Sequence, residues 1–377
     1  MKVRLFKPSV GAEELAEIQS VFDIAWLGNG EKVIEFEKAW SEFIGCRDSI
    51  GLNSATAALH MALAAFKFPR GKKVLVPAVT FASTATAVHY NGLEPVFVDS
   101  DLSTVCMDLN DLERKIDHDC VAVIPVHFGG HPVEMEGLLE IAKLHKLKVI
   151  EDCAHTQGGE YKGRKLGTFG EIGCFSFEEK KGMTTGDGGM ICSDDVELIA
   201  PIRAMKWVGI DKDTWKRSEA FTKTETDSRH WYYEIALLGY KYNMNNLCAA
   251  IGMAQLRKLI RFNENKRRAI GRYLEGVKGI PGIEPILPYD LTVNSSYWLF
   301  GLRLEKRDEL IKYLKKFEIA TGVHFTPLPL HPLWSGHKEP IPNALYLYDR
   351  IVTLPLFPDL SDEEVDYVVE KLRGFGG

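Results

Sequence analysis

We expect an α/β protein in which a largely parallel β-sheet lies between two layers of helices. Across residues 31–192, short apolar segments of strand length alternate with amphipathic helical patterns. This alternation favours parallel strands joined by helices. The strand segments are unbroken runs rich in Val, Ile and Leu, as strands buried on both faces require. The sequence therefore predicts a three-layer αβα sandwich with a mostly parallel sheet.

A proline-rich stretch, 279–293, separates this region from a shorter C-terminal part. The later segments 297–304, 308–317 and 323–324 read as a small α+β domain, and a last helix is predicted over 362–372. The turn sequence FPDLSDEE before that helix is a good N-cap context. We therefore predict a large domain over 1–255 and a smaller domain over 256–377.

The elements of the large domain follow from local pattern. Helices are predicted where apolar residues recur at amphipathic spacing, and Ser54 is the expected N-cap of the second helix. The predicted helices cover 31–43, 54–65, 83–90 and 135–145, with long helical patterns over 245–259 and 263–277. The predicted strands cover 73–76, 94–98, 121–126, 147–150, 172–177 and 189–192.

Composition excludes several classes of protein. The chain has 377 residues, 45% of them hydrophobic, and a formal net charge of −6. Such a chain can bury a large core, so intrinsic disorder is excluded. The acidic balance argues against nucleic acid or an anionic membrane as a partner. No segment approaches the ~18–20 apolar residues of a membrane span, and the N-terminus lacks the apolar core of a signal peptide.

The seven cysteines predict free thiols in a reducing cytoplasm. Their number is odd and none of them forms a CxxC pair. We also find no cluster of Cys and His with the spacing of a zinc site, so we expect no metal.

Three motifs carry chemistry, and the first is KVIEDCAHTQG at 148–158. Here a predicted strand ends in Glu151 and Asp152. Ligands of open α/β sheets bind beyond the carboxyl ends of the strands, so an acid there can meet a cationic ligand atom. The alternative is a helix cap or a surface ion pair.

The second motif is CFSFEEKKGMTTGDGGMI at 174–191, a loop between two predicted core strands. A lysine held in such a loop can form a Schiff base if burial or a neighbouring cation lowers its pKa from about 10.4. Gly186, Gly188 and Gly189 would allow the backbone to approach a ligand closely. The alternative is that Lys180 and Lys181 are a solvated surface pair.

The third motif is GLNSATAALHMAL at 51–63, in which small residues lead into a helix. The free N–H groups of a helix N-terminus suit a phosphate. The P-loop and GxGxxG motifs are both missing, which argues against a nucleotide-binding P-loop and a dinucleotide fold. A phosphate cradle, a carboxylate at a strand end and a loop lysine together are what pyridoxal 5'-phosphate (PLP) requires.

At this point the sequence resembles the DegT/DnrJ/EryC1/StrS family of sugar aminotransferases. The resemblance covers nearly the whole chain and is carried by motifs in the right order. These motifs are WLGNGEKVIEFEKAW (26–40), NSATAALHMAL, VPAVTFASTATAV (76–88), EDCAHTQGGEYKGRKLGTFGEIGCFSF, TTGDGGMI, GYKYNMNNLCAAIGMAQL (239–256), TGVHFTPLPLHP (321–332) and LPLFPDLSDEEV (354–365). The resemblance implies the aspartate-aminotransferase-like architecture, PLP fold type I.

The resemblance also implies residue roles. Lys181 matches the Schiff-base lysine, and Asp152 matches the partner of the cofactor's pyridinium nitrogen. His155 matches a position that contacts the ring or its 3'-oxygen, and Phe81 one that stacks on the ring. Ala55, Thr56 and Ser176 match phosphate contacts, and Lys241 or Asn243 matches residues that reach the cofactor phosphate of the partner subunit. A homodimer with two shared active sites is therefore expected.

Two positions depart from the family pattern and concern the substrate. Glu178 stands where many members have His, which changes the charge offered to the substrate. His324 matches the family's VHY position, but the later His of that motif is displaced, because Pro329 stands there and His331 lies two residues on. Glu178, His324 and His331 are the candidate substrate residues.

The expected reaction moves an amino group from L-glutamate to a keto or aldehyde sugar. A nucleotide-linked keto-deoxysugar is the favoured acceptor, and cell-surface polysaccharide, such as lipopolysaccharide, is the expected destination of the amino sugar. A free sugar acid such as an oxidised octulosonate is an alternative acceptor. A PLP-dependent sugar dehydratase is an alternative enzyme, although that branch replaces the lysine by His. A PLP-binding protein without turnover is the remaining alternative.

Overall fold

The computed structural model describes residues 1–210, 233–291, 294–337 and 339–375. Its helices are α1 (Ala12–Asp23), α2 (Glu31–Ile44), α3 (Ala55–Phe66), α4 (Ser83–Tyr90), α5 (Leu109–Lys115), α6 (Met135–His145), α7 (Val196–Met205), α8 (Asn246–Val277), α9 (Arg307–Lys316), α10 (Pro342–Tyr348) and α11 (Asp362–Phe375). Its strands are β1 (Asp48–Leu52), β2 (Lys73–Pro77), β3 (Glu94–Val98), β4 (Cys120–Val123), β5 (Lys148–Asp152), β6 (Glu160–Tyr161), β7 (Arg164–Lys165), β8 (Ile172–Ser176), β9 (Gly189–Ser193), β10 (Glu284–Pro285), β11 (Phe300–Arg303) and β12 (Ile351–Leu354).

The central sheet has seven strands in the order β1-β9-β8-β5-β4-β2-β3. The pairs from β3 through β2, β4 and β5 to β8 are parallel, whereas β9 runs antiparallel to both β8 and β1. Strands β8 and β9 are buried along their whole length. The predicted α/β sandwich with a largely parallel, mixed sheet is confirmed.

A second, antiparallel sheet of β10, β11 and β12 belongs to the C-terminal part. Its core includes apolar residues from the C-terminal half of α8, α9 and α11, and the N-terminal residue Val3 joins it. Val3 also forms an isolated parallel bridge with Ile319, so the first residues of the chain lie against this C-terminal part. The small α+β unit is therefore built from both ends of the chain.

Helix α8 connects the two sheets and runs for 32 residues without a break. It packs on α1 and α2 and, further along, on α11. The predicted division of the chain at 255 and 256 falls inside this helix, and that division stays a prediction. The separate helical patterns at 245–259 and 263–277 are one helix.

Other sequence-based bounds differ in detail. The strand predicted over 121–126 ends at Val123, because Pro125 has no N–H to donate to a sheet ladder. Residues 323–324 are not part of a strand in the structure.

All seven cysteines are free thiols, as predicted. In the described ranges no helix is both long enough and apolar enough to span a membrane.

The start of α3 shows how the fold prepares a ligand site. Ser54 is the N-cap as predicted, and its Oγ accepts the N–H of Ala57 at 3.1 Å. Gly189, the first residue of β9, lies directly against this turn. A Cβ on Gly189 would be 2.3 Å from the Ser54 carbonyl oxygen and 2.6 Å from the Ala55 nitrogen. Only glycine lets β9 approach the helix N-terminus this closely.

We therefore expect Gly189→Ala to displace the N-terminus of α3. Because the clash is with backbone atoms, the substitution should destabilise the fold by about 1–3 kcal/mol and weaken binding of any anion at this turn. The urea midpoint of unfolding measures the first effect. Gly28→Ala is the control, since a Cβ there would have no atom within 4 Å. Equal midpoints for the two variants would contradict the close-approach argument.

Candidate active site

A cavity of about 340 Å³ opens at the carboxyl ends of the central strands. Asp152 ends β5 and Ser176 ends β8, so both point to the edge where ligands bind in open α/β sheets. The start of α3, the β8–β9 loop, the N-terminal segment and the C-terminal part supply the other walls. The cavity is lined by Phe6, Ser54, Ala55, Thr56, Leu59, Thr80, Phe81, Ser83, Val126, Asp152, Ala154, His155, Ser176, Glu178, Lys180, Lys181, Asp187, Gly188, Trp298, His324 and Phe325.

Lys181 is held in this cavity by a turn in the β8–β9 loop. Its backbone N–H donates to the Glu178 carbonyl oxygen at 2.9 Å, and its Nζ lies 4.2 Å from the centre of the Trp298 ring. Burial lowers the pKa of Lys181 to about 8, while the negative charges of Glu178 and Asp152 partly oppose that shift. About a tenth of this amine is therefore neutral, and nucleophilic, at pH 7.

Lys180 differs from its neighbour. It is exposed, and its Nζ lies 3.3 Å from Oε1 of Glu178. Glu178 also accepts the backbone N–H of Lys180 at 3.0 Å. The interpretation of a solvated lysine thus applies to Lys180 and not to Lys181.

Asp152 is a buried carboxylate fixed in one orientation. Thr84 Oγ1 donates to its Oδ2 at 2.9 Å and the Ala154 N–H donates to its Oδ1 at 3.1 Å. Burial raises the pKa of Asp152 although both hydrogen bonds lower it. A cationic group in the cavity would relieve this desolvation, so the site favours a ligand that carries a positive charge next to Asp152.

His155 forms part of an aromatic stack at the cavity wall. Its ring lies 4.0 Å from that of Trp298 with 5° between the planes. The Gly129 N–H donates to Nδ1 at 3.4 Å, which places the ring proton of a neutral His on Nε2. Burial, followed by the charge of Lys181, keeps the pKa of His155 well below its usual value. Nε2 has no partner among the described residues and can donate to a ligand oxygen.

The start of α3 provides an anion site. Ser54 caps the helix through Ala57, so the N–H groups of Ala55 and Thr56 remain without an intrahelical acceptor. The Thr56 and Ser83 hydroxyl oxygens lie 2.6 Å apart. Ser176 and Gly188 face the same space from the sheet side. Free N–H groups, the helix dipole and hydroxyl donors together suit a phosphate.

The remaining predicted residues divide into two groups. Phe81, Glu178 and His324 line the cavity, and His324 Nδ1 lies 2.8 Å from Thr353 Oγ1. Phe81 keeps 59% of its surface exposed. Lys241, Asn243 and His331 do not line the cavity. Lys241 donates to Asn243 at 2.7 Å on the outside of the chain, and His331 is exposed, so the cavity gives no support to a substrate role for His331.

Several cavity residues escaped the sequence analysis. Thr84, which orients Asp152, lies inside the motif VPAVTFASTATAV, yet nothing in its local pattern marks one of its three threonines. Phe6 and Trp298 come from distant parts of the chain and stack on each other at 5.1 Å. Their sequence surroundings are those of ordinary core residues, so only the fold reveals that they enclose Lys181 and His155.

These residues fit PLP on structural grounds. The raised pKa of Asp152 indicates a carboxylate in need of a cation, the unpartnered His155 Nε2 can serve a ring oxygen, and the α3 turn that Gly189 keeps open can hold a phosphate. Burial lowers the pKa of Lys181 on the wall of this cavity, as a Schiff-base lysine requires.

Comparison with known proteins is consistent with this site. The model of the DegT/DnrJ/EryC1/StrS aminotransferase family matches residues 8–373. The spore coat polysaccharide biosynthesis protein SpsC of Bacillus subtilis is 38% identical, with 97% of this chain and 95% of SpsC covered. GDP-perosamine synthase of Escherichia coli O157:H7 is 34% identical, with 99% and 98% covered.

Among solved structures, Spr1654 from Streptococcus pneumoniae is similar over the whole chain. Its form with pyridoxamine phosphate (PMP) superposes with a TM-score of 0.92 at 28% identity, covering 100% of this chain and 99% of that one. Its PLP form gives a TM-score of 0.90 with the same coverage.

Proposed function

The chain belongs to the DegT/DnrJ/EryC1/StrS aminotransferase family, whose members are PLP-dependent sugar aminotransferases, and on that premise we propose its donor, acceptor and assembly. The donor is L-glutamate and the acceptor is a nucleotide-linked keto-deoxysugar. The observation that carries the proposal is that Lys181, Asp152 and the α3 turn meet in one cavity.

PLP, when bound, supplies an electron-withdrawing ring and a carbonyl carbon through which an amino group can be exchanged. Lys181 would hold it covalently, Asp152 would pair with its ring nitrogen, and Ala55, Thr56 and Ser176 would contact its phosphate. Once the amino group of the donor has displaced it, the freed Lys181 Nζ would act as the base that removes the proton from Cα of the donor. Trp298 and Phe6 exclude water from the space around this amine.

A sugar acceptor is supported by the family and by two relatives. The name of GDP-perosamine synthase refers to a nucleotide-linked sugar, and the name of SpsC refers to spore coat polysaccharide biosynthesis. Glu178 and His324 line the cavity in this chain, and both offer hydrogen-bonding groups to hydroxyls. Burial, together with the charges of Lys181 and Lys180, lowers the pKa of His324 to about 4, so His324 is neutral in the working range.

A homodimer with shared sites is the proposed assembly. Lys241 and Asn243 do not line the cavity of their own chain, and they lie beside the strand β1 that leads into α3, since Asn243 pairs with Leu52. In a dimer these two residues would reach the phosphate end of the partner's cavity. Cross-complementation tests this: mixing a Lys181→Ala chain with a Lys241→Ala, Asn243→Ala chain should restore one intact site per mixed dimer.

The substrate proposal is tested with the PMP-loaded protein and a panel of keto sugars. We expect a nucleotide-linked 4-keto-6-deoxysugar to give an amino sugar in a single turnover, with free keto sugars and keto sugar acids much slower. Preference for a sugar acid would instead support the alternative acceptor. Loading with L-glutamate should release 2-oxoglutarate, and its absence would indicate a PLP-binding protein without turnover.

The rate of PLP uptake by cofactor-free protein should depend on pH through Lys181. Only the neutral amine attacks the aldehyde, so the rate should rise about tenfold per pH unit below the pKa of about 8 and level off above it. Stopped-flow absorbance measures the uptake. The Lys180→Ala protein should show a similar profile with its midpoint slightly higher, because the charge of Lys180 makes a small contribution to the lowered pKa of Lys181. A midpoint near 10.4 would mean that Lys181 is not desolvated.

A further inference from the structure

A second, much smaller cavity lies against Lys181 and shares Phe6, Lys180, Lys181 and Trp298 with the active site. Its volume is about 10 Å³, room for one water-sized atom. Lys7, Gly182 and Lys266 line it, and Leu356, Phe357 and Pro358 close its apolar side. We call it the lysine pocket, after Lys7, Lys180, Lys181 and Lys266.

Lys266 is the unusual member of this pocket. It lies on α8 with only 2% of its surface exposed, and its Nζ has no hydrogen-bond partner in the part of the chain that the structure describes. A Cβ on Gly182 would be 3.4 Å from this Nζ, so the amine lies close to the backbone that follows Lys181. Burial, with the charge of Arg267, lowers the pKa of Lys266 to about 7.

An unpartnered amine in such a place is costly to bury, and a methionine would fill the same volume without that cost. We therefore expect a ligand to hydrogen-bond to this amine. The lining of the lysine pocket carries four lysines and no carboxylate. Glu178 pairs with Lys180, whereas no ion pair is found for Lys7, Lys181 or Lys266 among the described residues. Apolar side chains form the remaining wall, so little water would weaken the attraction between an anion and these lysines.

We propose that the lysine pocket binds a small monovalent anion of halide size, held by protonated Lys266 beside Lys181. Neither carboxylates nor phosphates fit a space for one atom. Lys266 must be protonated to hold the anion, so well above pH 7 each binding event takes up a proton and affinity falls about tenfold per pH unit. The bound charge also favours the protonated form of Lys181, so the anion slows reactions that need the neutral amine.

The direct test is a crystal of the PLP-loaded protein soaked in sodium bromide at pH 7, with data collected at the bromine absorption edge. We expect an anomalous peak in contact with Lys266 Nζ. The peak should be absent from Lys266→Met crystals, whose side chain keeps the volume. A water molecule in the pocket and no bromine peak would overturn the proposal.

The matching solution experiment measures thermal stabilisation by sodium bromide against sodium gluconate at equal ionic strength. The bromide effect should require about fivefold more salt at pH 8 than at pH 7, because the protonated fraction of Lys266 falls by about that factor, and it should vanish in Lys266→Met. Lys7→Met, at an exposed residue, should weaken it, and Lys2→Met, an exposed lysine of the same segment outside the pocket, should leave it unchanged. An equal bromide effect in all four proteins would overturn the proposal.

Discussion

Lys181→Ala should lose about 10²–10⁴-fold of single-turnover transamination, the range expected when a general base is removed. Lys181 lines the cavity, and its pKa of about 8 makes its amine available as a base. His155 and His324 are neutral there, but each has a pKa lowered so far that it is a weak base. The measurement is 2-oxoglutarate released from L-glutamate by stoichiometric enzyme.

The control for this change is Lys180→Ala, a substitution of the same size at the neighbouring position. Lys180 is exposed and bound to Glu178, so this variant should stay yellow and keep most of its activity. Borohydride reduction followed by peptide mass analysis should place the cofactor on Lys181. A colourless Lys180→Ala protein beside a yellow Lys181→Ala protein would overturn the assignment.

Asp152→Asn should lower the rate by about 10²–10³-fold, the size of effect seen when one preorganised electrostatic partner is removed from a buried site. Asparagine keeps the shape of the side chain and can still accept the Ala154 N–H, so the fold should persist. The substitution removes the negative charge that would pair with a protonated ring nitrogen of the cofactor. The expected signature is a protein that binds PLP but converts L-glutamate slowly.

Asp187→Asn is the matched control for Asp152→Asn. It makes the same chemical change on the same cavity, but Asp187 is exposed to solvent. Its rate should remain within a few-fold of the parent. If both variants lost activity equally, the general charge of the cavity, and not a specific pairing at Asp152, would be responsible.

The sequence predicted most of the large domain because its strands and helices are signalled locally. Helix α4 and strand β3 have the predicted bounds, and the Ser54 cap is where the Ser-Ala-Thr pattern places it. Elements at the margins were missed. Strand β1 carries Asp48, Ser49 and Gly51 and so lacks the apolar run of a central strand. It is buried because it pairs with β9 and packs against α2.

The residues of the site likewise fall into those that local sequence signals predict and those that they do not. Lys181, Asp152 and the α3 turn follow strand ends or helix starts, which are local signals. The enclosing groups do not: Trp298 donates its indole N–H to the Lys180 carbonyl across 118 residues of chain, at 2.8 Å. Choosing between Lys180 and Lys181 likewise needed the family pattern, because a burial difference between adjacent lysines has no sequence signature.

Helix α8 has a mechanical consequence. At 1.5 Å per residue, its 32 residues form a rod roughly 48 Å long. Its first half packs against α1 and α2, and its second half packs against α11. A swing of the C-terminal sheet about residue 255 would have to break the rod's own ladder of backbone hydrogen bonds. Lys266 lies on this helix, so the rigidity of the helix also fixes the place of Lys266 in the lysine pocket.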